Sequence, residues 1–506
     1  MSRGLLQRHG RALAAGMVLT LALVGCGRSP APPAAAPAPA RAVRVLPPLV
    51  EDLERRTFDW FWELGNPDNG LVPDRWPTPS ASSIAAVGFG LTAYGVGVER
   101  GWITRAEAVE RTLATLRFFA RAPQGSNPSG AAGYRGFFYH FLDMDTGTRA
   151  GSNELSSVDT ALLLGGVLFA QSYYDRDDRK EAEIRRLAEK IYRRVDWTWM
   201  QARPPWIAMG WKPEEGMLKH DWQGYNEAIL VYVLALGSPT HPVGTDAWQA
   251  WTSTYDRTWG TFYGQQHLSF PPLFGHQYSH IWIDFRGIQD DYMRRRGLDY
   301  FENSRRATYS QQAYATANPG GWAGYGKHVW GLTACDGPTD ASFDYAGSTR
   351  LFHSYSARGA GIEYVLDDGT LAPTAAAGSI AFAPEIVIPA ITAMHERYGR
   401  DIYGEYGFLD AFNPSFTFAE ATLKHGRLTP SGWVDTDYLG IDQGPIVLMI
   451  ENYRSGFVWE VMRRNPHIRR GLERAGFRGG WLQAPAAPAA GGPSAARAGA
   501  TRSAGG

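Results

Sequence analysis

The chain has 506 residues, and its 50 basic and 50 acidic side chains give a formal net charge of zero at pH 7. A chain without net charge has no overall field to attract a polyanion, which excludes nucleic acid as a partner. Hydrophobic residues make up 44% of the chain and charged residues 20%, so disorder is excluded for most of it. The two cysteines, Cys26 and Cys335, are too few for a disulfide framework or a cysteine-based metal site.

The N-terminus has the pattern of a secretory signal peptide. Basic residues precede an apolar run over residues 12–24, which is shorter than the roughly 20 residues that a transmembrane helix needs. The run ends at Cys26 in a sequence that resembles the lipobox of bacterial lipoproteins. The alternative is a conventional signal peptide that happens to contain a cysteine. Residues 1–26 are therefore predicted to be a lipoprotein signal with Cys26 lipidated and the protein on the periplasmic side of the envelope, and Gly27 favours the outer membrane over the inner one.

Both ends of the remaining chain are poor in residues that could form a core. Residues 27–48 are nearly all Pro, Ala and Arg, which predicts a semi-extended tether. Residues 483–506 are rich in Ala, Gly and Pro, which predicts a disordered tail. Between them, residues 49–482 have no comparable gap and are predicted to form one catalytic domain.

Helix-length segments fill much of this domain. Apolar residues repeat with a period near 3.6, as in Ile184, Leu187 and Ile191, which indicates amphipathic helices. The segments 83–97 and 159–170 are apolar on nearly every face, which predicts helices buried on both sides. Alternation of the two kinds indicates two concentric layers. The predicted fold is therefore all-α, an (α/α)6 toroid with long functional loops and a few short strands.

The predicted elements in chain order are helices at 51–64, 82–99, 105–121, 154–174, 179–199, 225–236, 245–259, 298–317, 384–398 and 443–453, and strands near 137–142, 362–365 and 427–434.

The long loops between these helices are rich in Trp and Tyr, whose flat faces suit pyranose rings. Hydrolysis of a glycosidic bond also needs one carboxylic acid and one carboxylate. Glu227 stands at the predicted start of a helix, beside aromatic and amide residues and before an apolar run. Apolar surroundings would raise its pKa, as a general acid requires. The alternative is a carboxylate that only stabilises the positive end of the helix.

Four further carboxylates could take part. Asp159 lies in the first turns of an otherwise apolar helix, where a charge needs a cavity or a partner. Glu154 precedes it and would either contact sugar or support the N-terminus of the helix. Asp442 repeats the arrangement of Glu227 at the mouth of another apolar helix, and Asp410 lies in the acidic segment before it. Asp410 and Asp442 form one acidic cluster with Glu405, Asp435 and Asp437, and the sequence leaves open which member of that cluster is the second catalytic carboxylate.

His276, His280 and Asp284 follow one another at intervals of four residues, which on a helix would place them on one face, as in a metal site. Their glycine and aromatic neighbours fit hydrogen bonding to sugar hydroxyls better, so neither a metal nor a cofactor is predicted. The buried thiol expected at Cys335 has no histidine nearby in sequence to activate it. The residues predicted to bind substrate are Glu154, Asp159, Trp222, Tyr225, His276, His280, Trp282, Asp284, Trp330 and Gln443.

Four motifs resemble the glucoamylase-like domain family. They are FGHQYSHIWIDFR at 274–286, YFENSRRAT at 300–308, WGLTACDGP at 330–338 and LGIDQGPIVLMIENYRSG at 439–456. Members of that family include bacterial endo-β-1,2-glucanases, and related domains occur in enzymes that make cyclic β-1,2-glucan. The resemblance implies an (α/α)6 toroid and cleavage of β-1,2-linked glucose polymers by an inverting route. It implies Glu227 as the general acid, with Asp410 or Asp442 as the base.

The chain is accordingly expected to be a monomeric, lipid-anchored glycoside hydrolase that acts on β-glucan, above all β-1,2-glucan, without a cofactor. Two alternatives stay open. A carbohydrate-binding lipoprotein would need the aromatic platforms but no acid of raised pKa opposite a base. A transglycosylase that remodels glucan would give longer or cyclic products.

Overall fold

A computed structural model describes residues 43–483 of the chain. The predicted signal peptide with Cys26, the tether up to residue 42 and the tail beyond residue 483 lie outside the described residues. The described part is mostly helical, with many short strands, which agrees with the predicted predominance of helix. None of the helices between residues 43 and 483 combines the length and the apolar character that crossing a membrane requires.

The helices are α1 Pro48–Leu64, α2 Ile84–Glu99, α3 Arg105–Arg121, α4 Ser157–Tyr173, α5 Arg179–Arg194, α6 Trp197–Met200, α7 Ile229–Gly237, α8 Asp246–Thr252, α9 Tyr278–Trp282, α10 Asp291–Arg296, α11 Tyr300–Ala317, α12 Pro373–Ala377, α13 Pro384–Ile402, α14 Gly440–Ser455, α15 Phe457–Arg463 and α16 Pro466–Arg474, with 3-10 turns at Tyr255–Arg257, Leu273–His276 and Gly480–Gln483.

The strands are β1 Arg75–Trp76, β2 Ser82–Ser83, β3 Gly133–Tyr134, β4 Phe137–Tyr139, β5 Phe141–Leu142, β6 Leu155–Ser156, β7 Gly210–Lys212, β8 Gly216–Met217, β9 Trp259–Phe262, β10 Gln265–Leu268, β11 Ile288–Gln289, β12 Ala334–Cys335, β13 Ala341–Tyr345, β14 Ser348–Phe352, β15 Ser356–Ala357, β16 Gly359–Ala360, β17 Val365–Leu366, β18 Tyr403–Gly404, β19 Gly407–Phe408, β20 Phe412–Asn413, β21 Arg427–Thr429, β22 Gly432–Val434, β23 Tyr438–Leu439 and β24 Arg478–Gly479.

The helices are of two kinds, as their sequences predict. In α2, α4, α7 and α14 nearly every residue is buried, because these helices pack against other elements on all sides. In α3, α5 and α16 one face is buried and the other is charged. The fully buried helices carry the core, and α4 contacts both α2 and α7.

Helices α2 and α4 approach each other closely through glycine. A Cβ atom at Gly88 would lie 2.2 Å from the carbonyl oxygen of Leu162, and one at Gly166 would lie 2.1 Å from the carbonyl oxygen of Gly88. Only glycine allows backbones to approach to this distance. Gly88 and Gly166 are therefore required for this close contact.

Several predicted helices differ from the observed ones at their ends. The segment predicted at 179–199 is two helices, because Val195 is extended and Asp196 accepts a hydrogen bond from the Trp199 N–H to begin α6. The helix predicted from residue 225 begins at Ile229, so Glu227 lies just before α7. Short strands are also more numerous than predicted, because the two or three residues in each carry too little alternation to be recognised.

Short antiparallel pairs bring distant loops together at one place. Strand β1 pairs with β23, which sets Arg75 opposite Leu439 just before α14 begins. Strand β2 pairs with β5, and the five-stranded sheet of order β3-β4-β6-β7-β8 contains β6, which leads directly into α4. The beginnings of α4 and α14 and the segment before β5 are therefore neighbours.

Candidate active site

A cavity of about 420 Å³ opens where these elements meet. Its walls combine carboxylates, two basic groups and aromatic rings. The residues that line it are Asp74, Arg75, His140, Phe141, Val158, Asp159, Leu162, Glu227, Tyr278, Tyr355, Leu439 and Ile441.

A second cavity, of about 430 Å³, lies among α8, α10 and the end of α16. Its buried carboxylate, Asp290, already accepts hydrogen bonds from the indole N–H of Trp248, the hydroxyl of Tyr300 and the backbone N–H of Met293. A carboxylate satisfied in this way holds the structure together, so we place the chemistry in the first cavity.

Glu227 is held on the wall of the first cavity by its backbone. Its carbonyl oxygen accepts a hydrogen bond of 2.7 Å from the Ser279 hydroxyl, and Asn226 Oδ1 accepts from the next backbone N–H, that of Ala228. Among residues 43–483, no donor reaches the buried Glu227 Oε2. Burial raises the pKa of Glu227 to about 7, and the negative charge of Asp159 adds to the effect. Glu227 can therefore hold a proton near neutral pH.

Asp442 and Asp410 form a second acidic group beside the cavity. Asp442 lies in the first turn of α14, next to Ile441 on the cavity wall, and Asp410 Oδ2 accepts a hydrogen bond of 2.7 Å from the Asp336 N–H. Burial raises the pKa of Asp442 to about 7, and burial with the neighbouring charges of Asp442 and Asp336 raises the pKa of Asp410 well above its ordinary range. Two buried carboxyl groups whose charges interact resist ionising together, so the pair titrates as one unit.

Arg75 supplies positive charge to the same region. Its Nη1 donates a hydrogen bond of 2.6 Å to Asp336 Oδ2 and lies 3.5 Å from Asp437 Oδ2. Asp435 is fully buried nearby, and burial raises its pKa well above the ordinary range. The guanidinium therefore compensates part of the negative charge of these aspartates beside the cavity.

Two overlapping sets of oxygen and nitrogen ligands lie close enough to hold a hard cation. One is Asp336, Asp410 and Asp435, and the other is Asp336, His425 and Asp437, with the possible ligand atoms of each set within 4.8 Å of one another. Arg75 already occupies one oxygen of Asp336, the residue common to both sets. Among residues 43–483 no donor reaches the other oxygen of Asp336, so the guanidinium would compete with a cation for Oδ2 alone.

His140, on the cavity wall, bridges the carboxylates of Glu154 and Asp159. Its Nδ1 is 2.9 Å from Glu154 Oε1, and its Nε2 is 3.5 Å from Asp159 Oδ1. Burial lowers the pKa of His140, but the two carboxylates outweigh it and bring the pKa to about 9. The Ser156 hydroxyl donates a hydrogen bond of 2.5 Å to the other oxygen of Asp159. The imidazolium is thus charged at neutral pH and fixes both carboxylates.

The structure brings together the acidic residues that the sequence indicated. Glu227 and Asp159 line the cavity, and Glu154 is joined to it through His140. Asp442 follows Ile441 of the cavity wall and interacts with Asp410. Asp410 and Asp442 are adjacent, so the two candidates for the second catalytic carboxylate belong to one unit.

Trp222 and Tyr225 lie beside the cavity without lining it. The indole N–H of Trp222 donates a hydrogen bond of 2.9 Å to the Ser157 hydroxyl at the start of α4. The ring of Tyr225 stacks on that of Tyr300 at a centroid distance of 5.8 Å. Both side chains are satisfied inside the protein, where they support the wall.

The residues of the motif at 274–286 pack in the core, in place of the predicted contact with sugar. Trp282 stacks on Phe89, and burial lowers the pKa of His280 to about 3, so its imidazole is neutral. Asp284 is paired with two arginines, and His276 Nε2 lies 3.2 Å from a backbone carbonyl oxygen. His276 is in a 3-10 turn, His280 in α9 and Asp284 beyond its end, so the three do not share a helix face.

Trp330 and Gln443 are also core residues. Trp330 is fully buried, and Gln443 Nε2 donates a hydrogen bond of 3.0 Å to the Phe408 carbonyl oxygen. Cys335 is a buried free thiol, as expected, and Arg358 Nη1 lies 3.6 Å from its sulfur atom. None of these three lines the cavity in the described part of the chain.

Sequence reasoning missed Asp74, Arg75, His140, Asp336 and Tyr355. Asp74 and Arg75 lie in a loop whose length and charged composition already indicated function. His140 lies in the predicted strand near 137–142, and nothing in the sequence around it indicates that its imidazole contacts two carboxylates. Asp336 and Tyr355 lie in the long segment between α11 and α12, whose sequence has no periodic pattern that would distinguish these two residues from their neighbours.

Residues 219–466 match the Glycoamylase family, whose description reads "Putative glucoamylase". A solved structure described as a "putative glucoamylase" from Bacteroides uniformis is 30% identical, with a TM-score of 0.72 over 86% of this chain and 98% of that one. An endo-β-1,2-glucanase from Chitinophaga pinensis, solved with sophorotriose and glucose, is 26% identical, with a TM-score of 0.72 over 86% of this chain and 99% of that one.

A curated relative, an exo β-1,2-glucooligosaccharide sophorohydrolase (non-reducing end) from Parabacteroides distasonis, is 28% identical over 458 residues, which are 84% of this chain. This chain spans only 57% of the length of that relative. The similarity to the Bacteroides uniformis structure extends over nearly all of that chain, and it agrees with the family resemblance of the four motifs. The protein therefore belongs to the Glycoamylase family.

Proposed function

We propose that this protein is a glycoside hydrolase that cleaves β-1,2-linked glucan. The observation that carries the proposal is Glu227, a buried carboxylic acid with its pKa raised to about 7 on the wall of a cavity, while Asp442 follows the wall residue Ile441 and interacts with Asp410. One protonated and one ionised carboxyl group are the requirements of glycosidic hydrolysis. The linkage is supported by the relatives that act on β-1,2-glucan.

In the proposed reaction, the Glu227 carboxyl group gives its proton to the glycosidic oxygen as the bond from that oxygen to the anomeric carbon breaks. A water oxygen attacks the anomeric carbon from the opposite face, and its proton passes to the shared carboxylate of Asp442 and Asp410. The new sugar end has inverted configuration, because a single displacement takes place. Glu154 and Asp159, fixed by His140, would accept hydrogen bonds from sugar hydroxyls.

We also propose that the fully buried and the one-faced helices form the inner and outer layers of an (α/α)6 toroid. The support is the two kinds of burial described above, together with similarity to glucanase structures of the same family. In such an arrangement the loops at one end of the inner helices would form the cavity, as those before α4, α7 and α14 do.

The test is incubation of the purified protein with linear β-1,2-glucan, soluble starch and β-1,3-glucan, with reducing ends and product sizes followed over time. The proposal predicts shorter products from β-1,2-glucan alone. Binding without new reducing ends would instead favour a carbohydrate-binding lipoprotein. Products longer than the substrate, or cyclic ones, would favour a transglycosylase.

For location, we propose a lipid anchor at Cys26 on the periplasmic side of the envelope, with the outer membrane preferred. The support is the lipobox-like sequence that ends at Cys26. Fractionation of cells that express the full chain or its Cys26→Ser variant tests this. The natural chain should partition with membranes, and the variant should not. Equal partition of the two would contradict the anchor.

A further inference from the structure

Tyr355 is an exposed aromatic ring inside the candidate active site. Its side chain is 48% exposed, although nearly all other large apolar side chains between residues 43 and 483 are covered. It lines the same cavity as Glu227 and Asp159. Within the described chain its ring stacks on no other ring and its hydroxyl makes no hydrogen bond, so packing gives no reason for its position.

A buried ion pair fixes the backbone on one side of Tyr355. Arg358 and Asp368 are fully buried and joined by two hydrogen bonds, of 2.7 and 2.8 Å. The same guanidinium donates hydrogen bonds of 2.8 and 3.1 Å to the carbonyl oxygens of His353 and Ser354, the two residues before Tyr355. Breaking this arrangement would leave a buried charge unpaired, which is costly.

Two further attachments fix the same segment. The backbone N–H and the hydroxyl of Ser354 donate hydrogen bonds of 2.9 and 2.7 Å to the Asp340 carboxylate. Directly after Tyr355, strand β15 pairs with β12, which sets Ser356 opposite Cys335. These attachments fix the backbone that carries Tyr355 at the cavity, so the ring can move only through its own side-chain torsions.

We propose that Tyr355 is a substrate-positioning residue, whose ring face supports a glucosyl unit in the cavity that it lines together with Glu227 and Asp159. This inference rests on the proposed function and names one contact within that site. The axial C–H faces of a β-glucopyranose are apolar, and they pack favourably on an aromatic face. The contact therefore offsets part of the entropy that a flexible glucan loses when it binds with its scissile bond beside Glu227.

The test measures binding by titration calorimetry with linear β-1,2-glucan, in the Glu227→Gln background so that no substrate is consumed. Adding Tyr355→Ala should weaken binding by about 2- to 12-fold, the equivalent of about 0.5–1.5 kcal/mol for an aromatic stacking contact. Adding Tyr355→Phe, which keeps the ring face, should leave binding within about twofold. The matched control is Leu351→Ala, because Leu351 is 54% exposed in the same segment and does not line the cavity.

The outcomes separate this inference from the function on which it rests. If the Glu227→Gln parent fails to bind β-1,2-glucan, the proposed substrate is wrong, and the proposed role of Tyr355 is wrong as well. If the parent binds and Tyr355→Ala binds equally well, the function stands and the platform is refuted. Equal losses in Tyr355→Phe and Tyr355→Ala would assign the contact to the hydroxyl and refute stacking. Thermal melts should be unchanged in every Tyr355 variant, since the side chain supports no packing.

In the catalytically active chain, Tyr355→Ala should raise KM for β-1,2-glucan by the same factor and leave kcat within about twofold. The reason is that a platform contact holds the bound substrate and the transition state equally. A loss confined to kcat would contradict this role.

Discussion

Replacing Glu227 by glutamine should make the protein more stable at alkaline pH while it abolishes the proposed activity. The buried carboxyl group has a pKa of about 7 in the folded protein, against 4.5 in an unfolded chain. A shift of 2.5 units corresponds to about 3 kcal/mol of destabilisation once the group is ionised in both states. Glutamine has nearly the same shape and never carries the charge.

The sign of the effect follows from the raised pKa. Below pH 4.5 the carboxyl group is protonated in both states, so natural protein and variant should have nearly equal stability. As pH rises from 4.5 to 7 the unfolded chain ionises first, and the natural protein loses stability relative to the variant. Above pH 7 the difference is complete at about 3 kcal/mol. With an unfolding entropy of about 0.9 kcal/mol/K for about 440 residues, the Tm difference should be about 3 °C.

The assay is differential scanning calorimetry of both proteins between pH 4.5 and 8.5, with Glu396→Gln as the control. Glu396 is an exposed glutamate on α13, so its variant should follow the natural protein at every pH. In the same pH range, kcat/KM of the natural protein should fall about tenfold per pH unit above pH 7, as the general acid loses its proton. A Tm difference for Glu227→Gln that stays constant with pH would refute the argument, because it would mean that Glu227 has an ordinary pKa.

Three other substitutions test the supports of the site and the core. His140→Gln removes an imidazolium with a pKa of about 9, whose stabilising effect is complete below pH 6.5 and is lost as pH rises through 9. Because Asp159 loses a charged partner, kcat/KM should fall about tenfold or more, and an unchanged value would contradict that role. Arg358→Met leaves the Asp368 carboxylate buried without its partner and should lower the free energy of unfolding in urea by about 3–5 kcal/mol. Adding Asp368→Leu should restore most of this loss, and no recovery would show that the loss does not come from the unpaired charge. Gly88→Ala places a Cβ atom against the backbone of α4 and should lower the free energy of unfolding by about 1–3 kcal/mol or more in the same assay. An unchanged free energy would contradict the close contact of α2 and α4.

Helices could be predicted where local sequence carries the signal. Helix α3 begins and ends as predicted, because Thr104 and Glu107 form a capping box and one face is regularly apolar. The start of α7 was placed too early, because Ala228 offers no capping side chain that would mark it. Local signals thus fix the existence of a helix better than they fix its ends.

The site was predictable only where one stretch of sequence contains the whole reason. Glu227 stands out because a carboxylate precedes an apolar helix. The ion pair of Arg75 forms with Asp336, which is 261 positions away in the sequence. The hydrogen bonds from Arg358 that fix the backbone beside Tyr355 likewise form only in the folded chain. The polar and aromatic residues around His280 suit a sugar site and a packed core equally well, and only the fold, in which His280 Nε2 lies 3.1 Å from the Ser304 hydroxyl, shows that they belong to the core.

The central claim is that Glu227 is the acid that protonates the leaving oxygen. Initial rates of the natural protein and its Glu227→Gln variant should be compared on linear β-1,2-glucan and on an aryl β-sophoroside with a dinitrophenol leaving group, which departs without a proton. The account predicts a loss of about 10²- to 10⁴-fold on the glucan and a much smaller loss on the aryl glycoside. Equal losses on both substrates, or an undiminished rate on the glucan, would contradict it.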